Sequence, residues 1–151
     1  MARGDRMGEN YDDYLRDDNL HINWYPGHMK KTRDLVRNNL KLVDVVVELL
    51  DSRIPFSSRN PDIDNLAGNK PRVVILNKCD LADEIQNKKW VNYFNNKQIP
   101  AVLVDSNSGK GIESCIREIE KIMQENLQEQ AKKGRVGRKI RAMILRNTKC
   151  W

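Results

Sequence analysis

Asn77-Lys78-Cys79-Asp80 and, further along, Asp105-Ser106-Asn107-Ser108-Gly109-Lys110-Gly111 are the segments whose residue types and order could do chemistry. A carboxylate at Asp80 can accept two adjacent N–H donors of one planar ring, a charge-assisted, two-point match. Ser and Gly in the second segment suit a tight loop. Four residues alone are a weak signal, and the alternative reading is that Asn77 and Asp80 only cap a turn before a helix. Their setting supplies the weight: each segment stands directly after a short apolar run, residues 72–76 and 101–104.

The elements that must position these segments follow from hydrophobic pattern. Leu35, Leu40 and Leu42 among Lys and Arg predict a basic amphipathic helix over about 29–42, entered through a turn at Pro26 and Gly27. Residues 43–50 predict a buried strand. A Pro- and Ser-containing loop over 51–61 leads to a short helix over 62–66 that Gly68 closes. Strands are expected at 72–76, 101–104 and 140–145, and helices at 82 to about 96 and 112 to about 128. This alternation predicts an α/β fold, a three-layer parallel sheet of about four strands built from right-handed βαβ units. Ligands of such sheets sit at the carboxyl ends of the strands, here Asp51, Asn77 and Asp105.

The 151 residues fit one domain with a real core, and 39% hydrophobic against 32% charged residues describes a soluble chain. The run from Val43 to Leu50 is interrupted by Asp44 and Glu48 and is far too short to span a bilayer. No apolar stretch follows the basic start, so no signal peptide is expected; Met7 stands as a second candidate start. Cys79, Cys115 and Cys150 are odd in number and widely spaced, which speaks against a disulfide framework or zinc site and for a reducing cytoplasm. Residues 1–20 are polar, without helical period, and are expected to form a disordered extension. A net charge of +6 allows a polyanionic partner. Lys132, Lys133, Arg135, Arg138, Lys139 and Arg141 crowd one Gly-containing stretch, readable as a solvated linker or as an RNA-phosphate contact.

The two segments resemble the paired base-recognition motifs of the GTPase superfamily, and here no G-x-x-x-x-G-K-[ST] precedes them. That order is similar to the circularly permuted GTPases. Within that group, Ile22-Asn23-Trp24-Tyr25-Pro26-Gly27-His28-Met29-Lys30-Lys31 resembles the W-[FY]-P-G-H-M-x-K opening of the ribosome biogenesis GTPase A family. Asp51-Ser52-Arg53-Ile54-Pro55-Phe56-Ser57-Ser58-Arg59-Asn60-Pro61 resembles its D-A-R-x-P-x-S-S-R-N-P loop, with Ser52 in place of Ala. The likeness runs from about residue 22 to 145.

The resemblance implies GTP or GDP as ligand, with Mg²⁺ in the intact family, and work in late assembly of the large ribosomal subunit. It implies that the Lys78 stem lies along the base, that the Asn77 amide bridges base and loops, and that Ser106 braces Asp80. It also implies that the main-chain N–H of Asn107 donates to guanine O6, with Ser108 in the same loop. His28 matches the family's water-positioning histidine; a lone His before a basic helix is otherwise an ordinary surface residue. Asp51 and Arg53 belong to the family loop. Lys30, Lys31, Arg33, Arg37 and Lys41 suit rRNA contact, and a solvated helix face explains them nearly as well. A nucleotide-independent rRNA-binding fragment is the rival reading.

In the family, a strand like residues 141–145 runs into G-I-P-N-V-G-K-S; here it runs into Arg146-Asn147-Thr148-Lys149-Cys150-Trp151. The codons AGG AAT ACC AAA TGT TGG TAA encode that tail and a stop. Read from the second base, the same string encodes G-I-P-N-V-G and the start of Lys. A single inserted base therefore accounts for residues 146–151 as a frameshifted tail. The expectation is a guanine-recognition portion lacking the phosphate loop, the switches and the Mg²⁺ site. Without hydrolysis, it would keep weak or no nucleotide affinity, a non-functional frameshift product being the extreme case. Its last strand should be an exposed edge prone to self-association. Sequencing the coding DNA through the codons for Leu145 and Arg146 should reveal G-K-S-T and then D-x-P-G in the shifted frame. Their absence there would overturn the frameshift.

Overall fold

The computed structural model describes residues 27–134, 137 and 139–146, with the backbone alone at 27–30, 32 and 125. The expected extension over 1–20, Trp24, Tyr25, the side chains of His28 and Lys30, Arg135, Arg138 and residues 147–151 lie outside what is described. The chain divides into two compact units, Met1–Asp34 and Leu35–Trp151.

Helix α1 spans Gly27–Leu40. The second unit then runs β1 (Val45–Asp51), α2 (Pro55–Ser58), α3 (Ile63–Ala67), β2 (Arg72–Asn77), α4 (Glu84–Asn96), β3 (Ala101–Val104), α5 (Ile112–Lys132) and β4 (Ala142–Arg146). The four strands pair in parallel in the order β3-β2-β1-β4. The α/β architecture expected from the alternating pattern is therefore present. Most element ends shift by one or two residues, and three differences stand out. A single helical turn, α2, interrupts the expected loop, started by Pro55, whose fixed φ suits a first helical position. Helix α5 runs one turn past residue 128, ending just before Gly134 in left-handed conformation. Arg146, expected to open the tail, is the last residue of β4 and pairs with Leu49.

Side chains alternate across the sheet, so Val46, Glu48 and Leu50 share one face and Val45 and Val47 the other. On the first face, Val46 packs with Leu40, Ile63 and Ala67, while Leu50, Val74 and Leu76 pack on Phe94 of α4. On the second face, Val45 and Val73 pack against Met123 of α5. Coverage is uneven. Met143 and Leu145 of β4 join the first core, but Ile144, directed to the other face, is 64% exposed. Among the described residues, β4 pairs with β1 alone and is an edge.

One buried charge crosses the first core. Glu48 is 2% exposed in mid-strand, and Arg59 donates from Nε to its Oε1 at 3.3 Å. Arg59 also reaches Asp64 at 2.9 Å, and Arg72 reaches Asp64 at 2.7 Å. The network pins the 51–61 loop and α3 to the sheet. Burial pushes the Glu48 carboxyl above its ordinary range, with Arg59 and Arg72 pulling it back. An acid raised in the folded state holds its proton to higher pH there than when unfolded. The stability this contributes is full below the ordinary glutamate range and is lost as pH rises through the folded value. Arg59→Ala strands the Glu48 charge, so stability at neutral pH should fall by about 3–5 kcal/mol and recover in part on acidification. Urea denaturation across pH measures this; a small, pH-independent loss would show that water reaches Glu48.

Candidate base-recognition site

Register places the site. Asp51 pairs with Asn77, and Asn77 with Val104, so β1, β2 and β3 end side by side and release their loops from one edge. The Ser106 main-chain N–H donates to Oδ1 of Asn77 at 3.2 Å, tying the loop after β3 to the loop after β2. The Ser52 N–H donates to the Asn77 carbonyl at 2.8 Å, tying the loop after β1 to the same residue.

After Asn77 the chain turns sharply. Lys78 has φ 60° and ψ 36°, a left-handed conformation unusual for a residue with a side chain. A 3₁₀ turn, Cys79–Leu81, follows, closed by the Leu81 N–H on the Lys78 carbonyl at 3.0 Å. Lys78 Nζ reaches Asp51 Oδ2 at 3.2 Å. Arg53 grips the same carboxylate through its main-chain N–H, Nε and Nη2 at 3.0, 2.9 and 2.7 Å. These bonds, Arg53's first, hold the Asp51 carboxyl well below its usual range. A depressed acid contributes stability above its unfolded range and loses it as pH falls through the folded value, so the Asp51–Lys78 link is intact at neutral pH. Asp80 is exposed, and among the described residues its carboxylate makes no hydrogen bond or ion pair.

The second loop is internally latched. The Asp105 carboxylate accepts the Asn107 N–H at 3.0 Å and the Ser108 hydroxyl. The Asp105 N–H meets the Lys110 carbonyl at 3.0 Å. A Cβ on Gly111 would lie 2.1 Å from the Leu103 carbonyl oxygen, so only glycine fits where the loop enters α5. Among the described residues, Ser106 makes no hydrogen bond to Asp80 and donates its main-chain N–H to Asn77. The Asn107 N–H, expected to face a base oxygen, is engaged by an acceptor two residues back, the habit of Asp at turns.

Asn77, Lys78, Asp80, Ser106, Asn107 and Ser108 thus share one edge with Asp51 and Arg53. Lys132 and Lys133 are exposed at the far end of the 21-residue α5, which begins beside this edge and leads away from it. Lys31 and Arg33 belong to the first unit. Among the described residues, no three His, Cys, Asp or Glu side chains converge on a common point. Sequence reasoning missed the Asp105 latch and the buried Asn87 of α4, whose Nδ2 donates to the Cys79 carbonyl at 3.0 Å.

Polar loops released side by side from the carboxyl ends of adjacent parallel strands mark an α/β domain built like those of nucleotide-binding proteins. No family model matches the chain. It is 45% identical over 125 residues to ribosome biogenesis GTPase A of Priestia megaterium, covering 82% of this chain and 43% of that relative. The corresponding protein of Bacillus cereus is 43% identical over 124 residues, 82% of this chain and 42% of the relative. Over 82% of its length the chain is thus a homologue of ribosome biogenesis GTPase A proteins, while spanning less than half the length of these curated relatives. Mitochondrial ribosome-associated GTPase 1 of Mus musculus is 46% identical over 80 residues, 53% of this chain and 24% of the relative. The crystal structure of GNP-bound YlqF from T. maritima superposes with a TM-score of 0.55 at 25% identity, covering 78% of this chain and 42% of that one.

Asp105→Ala should release the Asn107 amide and the Ser108 hydroxyl. Hydrogen exchange by NMR should show Asn107 exchanging roughly tenfold faster or more, as expected when a local latch opens without global unfolding. Unchanged protection would show that the loop is held by its backbone alone.

Proposed function

We propose that residues 35–146 form the guanine-recognition part of a ribosome-assembly GTPase, with Asp80 reading the base. The carrying observation is an exposed carboxylate that makes no hydrogen bond or ion pair among the described residues, set in a turn that Asn77 ties to the adjacent loop. Asp80 would accept the N1–H and the 2-amino group, while Lys78, anchored at its tip by Asp51, offers its methylene stem to one face. Entry of guanine O6 toward Asn107 requires the Asp105 carboxylate to share or yield that N–H. His28 is kept as the family's water-positioning residue. No step of phosphate hydrolysis, and no Mg²⁺ ligand, is assigned to the described residues.

The proposed partner is the large ribosomal subunit. Exposed Lys132, Lys133 and Lys139 favour contact with rRNA phosphates. This surface also supports a second reading, RNA binding without nucleotide. Exposed Ile144 on the edge strand β4 supports self-association through that edge.

Asp80→Asn supplies the test. An Asn side chain accepts from N1–H and donates to a C2 carbonyl, so the variant should lose guanosine binding by about tenfold or more and gain xanthosine. NMR titrations with guanosine, xanthosine and adenosine check this. Equal response to all three nucleosides in the unaltered chain, with salt-sensitive rRNA binding indifferent to them, would replace the first reading by the second.

A further inference from the structure

Asn87 sits on α4, one turn past the Asp83 cap whose carboxylate accepts the Gln86 N–H at 2.9 Å. It is 3% exposed, the only buried polar side chain of that helix among the described residues. Its Nδ2 donates to the Cys79 carbonyl at 3.0 Å, and its Oδ1 finds no partner among the described residues. A half-satisfied amide in a buried position is costly, and an apolar residue of the same shape would avoid that cost. Its one bond falls on the peptide between Cys79 and Asp80, the peptide that aims the Asp80 side chain.

The turn has little else to hold it there. Lys78 is left-handed, and the turn's one main-chain bond, from the Leu81 N–H to the Lys78 carbonyl, spans the Cys79–Asp80 peptide without engaging it. At its entry, Asn77 is fixed by Ser106 and Ser52. The peptide preceding Asp80 is therefore set from beneath, by α4. We infer that Asn87 is a positioning residue for base specificity: it fixes the Cys79 carbonyl and so orients the Asp80 carboxylate for its two-point contact. This role rests on the guanine reading proposed above. It makes α4 the support for Asp80, as Ser106 is for Asn77.

Two-point recognition is the property that depends most on orientation. Guanosine presents both N1–H and the 2-amino group, whereas inosine presents N1–H alone. A carboxylate free to rotate can still meet one donor but loses the simultaneous second bond. Loss of Asn87 should therefore weaken guanosine more than inosine, which a general loosening of the fold would not do.

The test uses the full ¹⁵N-labelled chain, its Asn87→Leu variant, which keeps shape without the donor, and Asn87→Ser, whose hydroxyl is too short to reach Cys79. Without ligand, the Asp80 amide nitrogen should move upfield in both variants as the bond to the preceding carbonyl is lost. An unmoved Asp80 signal in a folded variant would overturn the inference whatever the ligand result. With nucleosides, the guanosine-over-inosine affinity ratio should fall roughly tenfold in either variant, the worth of about one charge-assisted bond. A ratio preserved in a folded variant that still binds guanosine overturns the role of Asn87 and leaves guanine recognition standing. Absence of guanosine preference over adenosine in the unaltered chain overturns both. Should Asn87→Leu fail to fold, Asn87→Ser carries the same readouts.

Discussion

A single amide side chain, Asn77, sits where three strands deliver their loops. Its Oδ1 accepts the Ser106 N–H and its main-chain carbonyl accepts the Ser52 N–H, so one residue joins the segments after β1, β2 and β3. Both bonds depend on the parallel register that sets Asn77 level with Asp51 and Val104. A slip of one residue would turn the amide to the opposite face of the sheet and separate the loops. The apolar contacts of Leu50, Val74 and Leu76 with Phe94 therefore do more than stabilise: they hold the register on which the loop geometry depends.

Much of this was legible before any coordinates. Each strand announced itself as a short β-branched or apolar run, and Gly68 closed α3 as its position suggested. The two polar segments fell at strand ends, and their order in the chain pointed to the family that the relatives then supported. What escaped were interactions between groups far apart in sequence or hidden in local conformation. Glu48 read as an interruption of an apolar run; its pairing with Arg59 required the 51–61 loop to fold back over the sheet. Asn87 drew no notice within the helix expected over 82 to about 96, since nothing in helical period distinguishes a buried amide from a solvated one.

The Asp105 latch escaped for a different reason. Ser106, Asn107 and Ser108 were read for the groups they could show a ligand, whereas the Asp105 carboxylate takes up the Asn107 N–H and the Ser108 hydroxyl within the loop. Donors useful for recognition are also donors that must be paired somewhere. The loop is thus a competition between an internal carboxylate and whatever oxygen approaches from outside.

Lys78 carries a related conflict in its backbone. A left-handed residue with a side chain costs about 1–2 kcal/mol relative to a comfortable conformation, a cost glycine would avoid. Glycine there would relax the turn, yet would remove the stem and the ammonium that spans to Asp51. Sequence change driven by thermostability alone would favour that replacement and erase the feature. A lysine kept at this position across generations would therefore record a demand other than folding, written in the one dihedral angle where durability and usefulness ask for different amino acids.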